Sequence, residues 1–344
     1  MPYIQSVILG FIQGTTEFLP ISSSAHLVLV PWIFGWDYMG LGFDTALHFG
    51  TAIAIVAFFW RDWASIITRA ISRKKQDTRN PSTSLGTGKL QTNSKSQIPN
   101  SNEVPTKQGL PGSRFEGIGT NQAIHYPANL LWQILVASIP AAIAGYLLSD
   151  YVETYLHSPI LLAINLAVFG IILWLVDIYA NRQFPSRHPE HIRQTQCKLR
   201  EGSQSAGDSS AKPQNDRQLS LNKINYKQSL IVGLSQCLAL VPGVSRSGIT
   251  MTAARGLGLN RENSARFSFI LSAPATVGAF LFEARKVDWA QTTLPFWLAI
   301  IVTVIVGLLT IKYLLKYLQR GSFAIFTIYR IALAIIIVVL FLAR

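Results

Sequence analysis

The sequence predicts an all-α polytopic membrane protein built as an inverted-topology repeat, each half one re-entrant helical hairpin plus three transmembrane helices. Two observations predict it. Of the 344 residues, 49% are hydrophobic and 14% charged, with a mean hydropathy of +0.31, a composition of membrane-spanning rather than soluble chains. Two short polar motifs also interrupt apolar stretches: GFIQGTTEFLPISSSAH over 10–26 and GLSQCLALVPGVSRSGIT over 233–250. Gly, Gln, Pro and Ser recur in the same order, with a one-residue slip before the proline. An acid, an imidazole, an arginine and a run of hydroxyls are costly at membrane depth, so these motifs read as functional.

Taken in order, residues 3–34 are apolar but break at Pro20, and 228–258 break at Pro242-Gly243. Each half is too short to cross a bilayer, which takes about 17–25 residues. Both regions therefore read as hairpins whose tips sit where irregular backbone is tolerated, buried in protein or lining a wet cavity; a single Pro-kinked helix is the plainer alternative. Simple spans are expected at 43–66, 129–149, 159–179, 265–284, 294–317 and 323–342. Three crossings per half invert the second copy and bring the two tips together near the midplane. The resulting divisions are 1–180 (first repeat, carrying loop 70–128), 181–227 (a second polar loop) and 228–344 (second repeat). Both loops are rich in Ser, Asn, Gln, Thr, Lys and Gly and are expected to be disordered.

The net charge is +13, and 17 Lys and Arg fall between Arg73 and Arg114 or between Arg182 and Lys227. By the positive-inside rule those loops are cytoplasmic, with both termini and the mouth of the first hairpin extracytoplasmic. The basic residues lack aromatic interleaving or a reader motif, which excludes nucleic acid as the expected partner. The N-terminus lacks the basic region of a secretory signal. Cys197 and Cys237 offer neither a disulfide framework nor metal-ligand spacing. Arg255, Arg261 and Arg266 are expected at the cytoplasmic interface, and Tyr329-Arg330 as an anchor or an interior pair.

Gln13 and Glu17, four apart, share a helical face, and Glu17 is the only carboxylate of its motif. Ser22, Ser23 and Ser24 stand where the returning half-helix begins, and a helix N-terminus offers free N–H groups to an anion. His26 follows Ser23 by three residues, the minimal pairing for an activated nucleophile or a proton shuttle. The second tip adds Gly243, Ser245, Arg246, Ser247 and Thr250, with Arg246 presenting a planar fork suited to phosphate oxygens. Two helix N-termini, an arginine and many donors suit a diphosphate better than a carboxylate. Ser22, Ser24 and Thr250 read equally as hydroxyls bonded back to their own helices. Asp44 and His48, also four apart, read as second-layer groups or as a solvated mouth.

With these residues in view, the chain resembles the undecaprenyl-diphosphatase family, integral-membrane lipid phosphatases linked to bacitracin resistance. The resemblance rests on Gln13 to Ser23, on His26, on Pro242 to Thr250, and on the terminal segment Ser322 to Arg330. It implies hydrolysis of undecaprenyl diphosphate to the monophosphate and phosphate at the bacterial plasma membrane, recycling a lipid carrier for cell-wall synthesis. It implies a divalent cation, Mg2+ or Ca2+, on Glu17 with Gln13 supporting. Ser23 would be the nucleophile, His26 the proton carrier and Arg246 the phosphate clamp, with Ser22, Ser24, Gly243, Ser245, Ser247 and Thr250 around the substrate. Gln13 stands where many relatives carry Glu, so a scheme needing two carboxylates on the metal is in question here. Oligomeric state is open, a homodimer included.

Two other protein classes share features with this sequence. A polyprenyl-phosphate transporter or flippase shares the broken-helix architecture, but needs no nucleophile and no metal acid. The acid-phosphatase-like membrane phosphatases resemble one another through Ser-Arg followed by His six residues after the Arg. Here Ser245-Arg246 is followed by Thr252 at that place.

Overall fold

The computed structural model describes residues 3–37, 39–79, 126–155, 158–184, 219–285 and 293–343. The first apolar region forms α1 (Tyr3–Thr16) and α2 (Ser23–Phe34). Next come α3 (Leu41–Phe58), α4 (Trp60–Arg79), α5 (Leu130–Tyr155) and α6 (Pro159–Gln183). The second half holds α7 (Tyr226–Leu238), α8 (Arg246–Gly256), α9 (Arg261–Glu283), α10 (Leu294–Leu318) and α11 (Ala324–Leu342). No strand occurs among the described residues.

α5, α6, α9, α10 and α11 are long and apolar enough to cross a membrane. Their outward faces are what a bilayer requires. On α10, Ile301, Ile305 and Leu309 are exposed at i, i+4, i+8, while Ala299, Thr303 and Gly307 are buried on the other side. Large residues meet lipid and small ones allow helices to approach. The chain is a multi-pass membrane protein.

The span expected at 43–66 is bent rather than straight. It breaks at Phe59, where α3 and α4 meet at 71°. Polar contacts hold the turn: Asp62 accepts from the Tyr126 hydroxyl at 2.7 Å and faces Arg266 at 3.3 Å. Burial, then the Asp62 charge, pushes the Tyr126 phenol well above its ordinary range, so it stays a donor. The polar loops are also ordered at their edges. Residues 70–79 continue α4, Tyr126 is buried, and Leu221 and Ile224 enter the main apolar core. Residues 80–125 and 185–218, where disorder was expected, lie outside the described residues.

Close helix contacts are made through glycine. A Cβ on Gly10 would lie 2.5 Å from the Ala299 carbonyl of α10, and one on Gly233 2.1 Å from the Ala137 carbonyl of α5. Thr303 of α10 donates to the Gly10 carbonyl at 3.1 Å, and Ser229 of α7 donates to Gln133 of α5 at 2.9 Å.

Arg255 is a correction. It does not face an interface: it is 2% exposed and donates through Nε to Asp177 at 2.9 Å, while Arg261 grips both oxygens of the same carboxylate at 2.9–3.1 Å. Asp177 thus ties α6 to α8 and α9. Asp177→Asn is expected to cost about 3–5 kcal/mol, because it leaves a buried guanidinium without its counter-charge. Denaturant unfolding in detergent measures this, and a loss below ~1 kcal/mol would contradict it.

Candidate active site

Each tip is set by its proline. Pro20 lacks an N–H and crowds the preceding turn, so α1 ends at Thr16, and α2 begins from Ser22. Pro242 acts likewise, and the chain turns at Gly243 (φ +90°), where a Cβ would strike the Leu162 carbonyl at 2.7 Å. Ser22 and Ser245 have nearly the same backbone, φ 73° and 74°, and are the non-glycine positive-φ residues of the described chain. Such geometry costs on the order of 1–3 kcal/mol and persists where surrounding structure holds it.

That structure is specific. Ser247 donates to the Leu19 carbonyl at 3.0 Å, bonding one tip to the other. Arg330, fully buried on α11, reaches both: its guanidinium donates to Gly243 O at 2.9 Å, Val244 O at 3.1 Å and Pro20 O at 3.4 Å. Asn165 of α6 donates to Pro242 O at 2.9 Å.

Between the tips lies a cleft lined by Glu17 and Phe18 from the first, Arg246 and Ser247 from the second, and Ser268, Phe269 and Ser272 from α9, with Ile55 of α3. The Glu17 carboxylate is the hub: its Oε2 accepts from Ser23 Oγ at 2.6 Å and Gln13 Nε2 at 3.2 Å, with His48 Nδ1 3.4 Å away. Arg246 donates to Thr276 Oγ1. A carboxylate and a guanidinium from two separately broken helices thus share one small, hydroxyl-rich cleft.

The other expected residues fall around this cleft. His26 does not pair with Ser23. Its Nδ1 donates to the Ser22 carbonyl at 2.7 Å, and in the neutral ring Nε2 accepts from the Tyr329 hydroxyl at 2.6 Å. Ser23 bonds the carboxylate instead. Ser22 is buried with its hydroxyl 3.1 Å from that of Ser24, which is exposed. Ser245 Oγ caps α8 by accepting from Gly248 N at 3.2 Å and lies 3.2 Å from Ser247 Oγ. Thr250 donates to the Arg246 carbonyl at 2.7 Å, against Ser268. Gly243 shapes the turn.

Sequence reasoning missed Ser268, Ser272 and Thr276, which α9 supplies from outside both motifs. Serines and threonines in an apolar helix give no local signal that separates cleft lining from back-bonding. It left His48 undecided and did not foresee Tyr329 beside His26. Among the described residues no three His, Cys, Asp or Glu side chains cluster as a metal cage. What surrounds Glu17 is an imidazole, a fully buried amide whose Oε1 has no hydrogen-bond partner among the described residues, and a hydroxyl. This set fits a cation held through one carboxylate and completed by substrate oxygens and water, a usual arrangement for Mg2+.

Comparison with known proteins now decides the family. The model of the family described as Bacitracin resistance protein BacA matches residues 6–336. This chain belongs to the BacA family. Its BacA relatives match it end to end. A protein named Undecaprenyl-diphosphatase from Pelotomaculum thermopropionicum is 37% identical over 344 residues, covering 100% of this chain and 98% of that one. One of the same name from Moorella thermoacetica is 36% identical over 345 residues, with 100% of each covered, and one from Desulforudis audaxviator 36% over 340. Both broken-helix tips thus lie within the region that defines BacA proteins.

Proposed function

We propose that this chain hydrolyses undecaprenyl diphosphate to undecaprenyl phosphate and inorganic phosphate, recycling the lipid carrier for cell-wall synthesis and so conferring bacitracin resistance. The observation that carries the reading is the cleft itself, where Glu17 and Arg246 converge from the two tips beside Ser23. A transporter has no need of a hydroxyl held on a carboxylate, and the relatives' name is that of a hydrolase.

In the mechanism we infer, Arg246 engages the terminal phosphate through paired N–H donors, and Ser247 and the start of α8 add hydrogen bonds. Ser23 Oγ attacks the terminal phosphorus while its proton passes to Glu17, to which it is already bonded at 2.6 Å. The bridging P–O bond breaks and undecaprenyl phosphate leaves. Water then cleaves the phosphoserine. His26, oriented by the Ser22 carbonyl and Tyr329, is the proton carrier at the edge of the site. A divalent cation, Mg2+ or Ca2+, would be held by Glu17 with Gln13 supporting, and would supply neutralisation of the diphosphate charge.

The inverted-topology repeat belongs to the same reading. It is supported by the matching Ser22 and Ser245 backbones and by the parallel pairings of α1 with α10 and α7 with α5 through Gly10 and Gly233. The distribution of Lys and Arg supports a plasma-membrane orientation with both long polar loops cytoplasmic and the termini outside.

The direct test is phosphate release from undecaprenyl diphosphate by the purified protein in detergent, with Mg2+, with Ca2+ and with EDTA. Arg246→Ala is expected to lower it by about 10²–10³-fold, the usual loss on removing one donor to developing charge. Well-folded wild-type protein that releases no phosphate with any cation would overturn the proposal.

A further inference from the structure

Among the described residues Glu17 is the one carboxylate lining the cleft, and the residue a helical turn before it is an amide. The fold brings a third donor from outside both motifs. His48 of α3 places Nδ1 2.9 Å from Gln13 Nε2 and 3.4 Å from Glu17 Oε2, while Gln13 Nε2 and Glu17 Oε2 are 3.2 Å apart. These are three edges of one triangle. A charge-assisted N–H···O bond closes to about 2.7–2.9 Å, so the His48–Glu17 separation is long for a direct bond. It is close to the spacing of two ligands on one ion: an octahedral cation bound at about 2.1 Å keeps neighbouring ligands about 3.0 Å apart.

The Gln13 corner is adaptable. The side chain is fully buried, its NH2 turned toward Glu17 and His48, and its Oε1 has no hydrogen-bond partner among the described residues. A half-turn of the amide breaks no hydrogen bond at Oε1, gives up the Nε2 bonds to Glu17 and His48 in exchange for the ion, and presents the carbonyl at the corner the NH2 now holds.

We propose that His48 is a metal ligand, completing with Glu17 and Gln13 a three-donor face for one divalent cation. The imidazole takes the part that a second carboxylate would play. The proposal rests on the diphosphatase reading for the purpose of the cation, though its test does not run through catalysis. A chemical consequence follows. With one carboxylate, one amide oxygen and one imidazole, the face carries a single negative charge and a nitrogen donor. Mg2+ and Ca2+ favour all-oxygen sites, whereas imidazole favours first-row transition ions. The chain is thus expected to bind Mn2+ at least about tenfold more tightly than Mg2+ or Ca2+.

The full-length protein, purified in detergent and stripped with EDTA, is titrated with Mn2+ and followed by electron paramagnetic resonance. Echo modulation then reports any 14N nucleus bonded to the bound ion. Wild type is expected to show 14N modulation. His48→Gln is expected to lose it and to weaken Mn2+ by tenfold or more, with an unchanged melting temperature. His26→Gln is expected to keep it. Gln13→Glu is expected to tighten Mg2+ by about tenfold. Three results would overturn the proposal: no Mn2+ bound, bound Mn2+ without 14N modulation, or modulation that survives His48→Gln. Phosphate release from the same preparations separates the two readings. Release without 14N-coupled Mn2+ ends this inference alone, and 14N-coupled Mn2+ without release ends the diphosphatase reading alone.

Discussion

Glu17→Gln is expected to lower phosphate release from undecaprenyl diphosphate by about three orders of magnitude while leaving the protein folded. The substitution preserves shape and a hydrogen bond to Ser23, so the helix and tip lose little. What disappears is the negative charge to which the proposed mechanism passes the Ser23 proton and on which a cation would be held. Removing a single preorganised electrostatic group from such a site costs about 10²–10³-fold, and Glu17 serves two such roles. Its neighbours cannot stand in. Gln13 is neutral, and among the described residues no other carboxylate lines the cleft. Turnover is measured at saturating Mg2+ and again at raised Mg2+, alongside thermal unfolding in detergent. Activity within tenfold of wild type would remove Glu17 from the chemistry and with it the role given to Ser23.

Arg330→Leu is expected to match Asp177→Asn in lost stability and to cost activity as well. Arg330 is fully buried and has no ion-pair partner among the described residues; it is balanced by carbonyl oxygens alone. Besides Pro20, Gly243 and Val244, it donates to Leu166 O at 2.9 Å and Asn165 O at 3.3 Å. Glycines make room for it: a Cβ on Gly170 or Gly248 would meet its side chain at 3.3 and 3.1 Å. Without the guanidinium these buried carbonyls lose their donor, at about 1–3 kcal/mol for each one left unsatisfied. We expect destabilisation of about 3–5 kcal/mol, allowing for partial collapse of the leucine into the space. Protein that still folds is expected to turn over poorly, since the tips carrying Glu17 and Arg246 are no longer bridged. Arg330→Lys separates charge from geometry. It restores the cation but not the planar fork, so part of the stability returns and little of the activity. Unchanged stability and turnover in Arg330→Leu would mean that the tips are aligned by Ser247 and Asn165 without it.

Gln236 stands at the second motif's counterpart of Gln13, buried at 3% exposure with neither amide atom hydrogen-bonded among the described residues. The second motif offers it no acid, since Leu240, four residues after Gln236, and Ala239, three before Pro242, are the positions where Glu17 would fall. The carboxylate thus lies in the first motif and the arginine in the second. This division was legible in the two motifs before any coordinate was known.

By itself the sequence determined the features that depend on composition and local backbone chemistry. Apolar length marked the membrane helices, and Pro20 and Pro242 marked the broken ones, because a missing N–H is a property of the residue and not of its neighbours. Costly polar groups at those breaks marked Glu17, Ser23 and Arg246 as candidate site residues. Only the tertiary structure decided who meets whom. Spacing of three suggested that His26 serves Ser23. Backbone at Ser22 with φ 73° instead sends the imidazole to a carbonyl and to Tyr329, 303 residues away, and leaves Ser23 to Glu17. Asp44 and His48 shared a helical face, but only the packing of α3 against α1 brings His48 to Glu17. Arg330 was an arginine before an apolar run until two hairpin tips closed over it. The bend at Phe59 was not legible from Arg61 and Asp62 alone, since Tyr126 and Arg266, which hold Asp62, lie far along the chain. Long-range polar contacts have no period in the sequence, so they become visible only once the helices are packed.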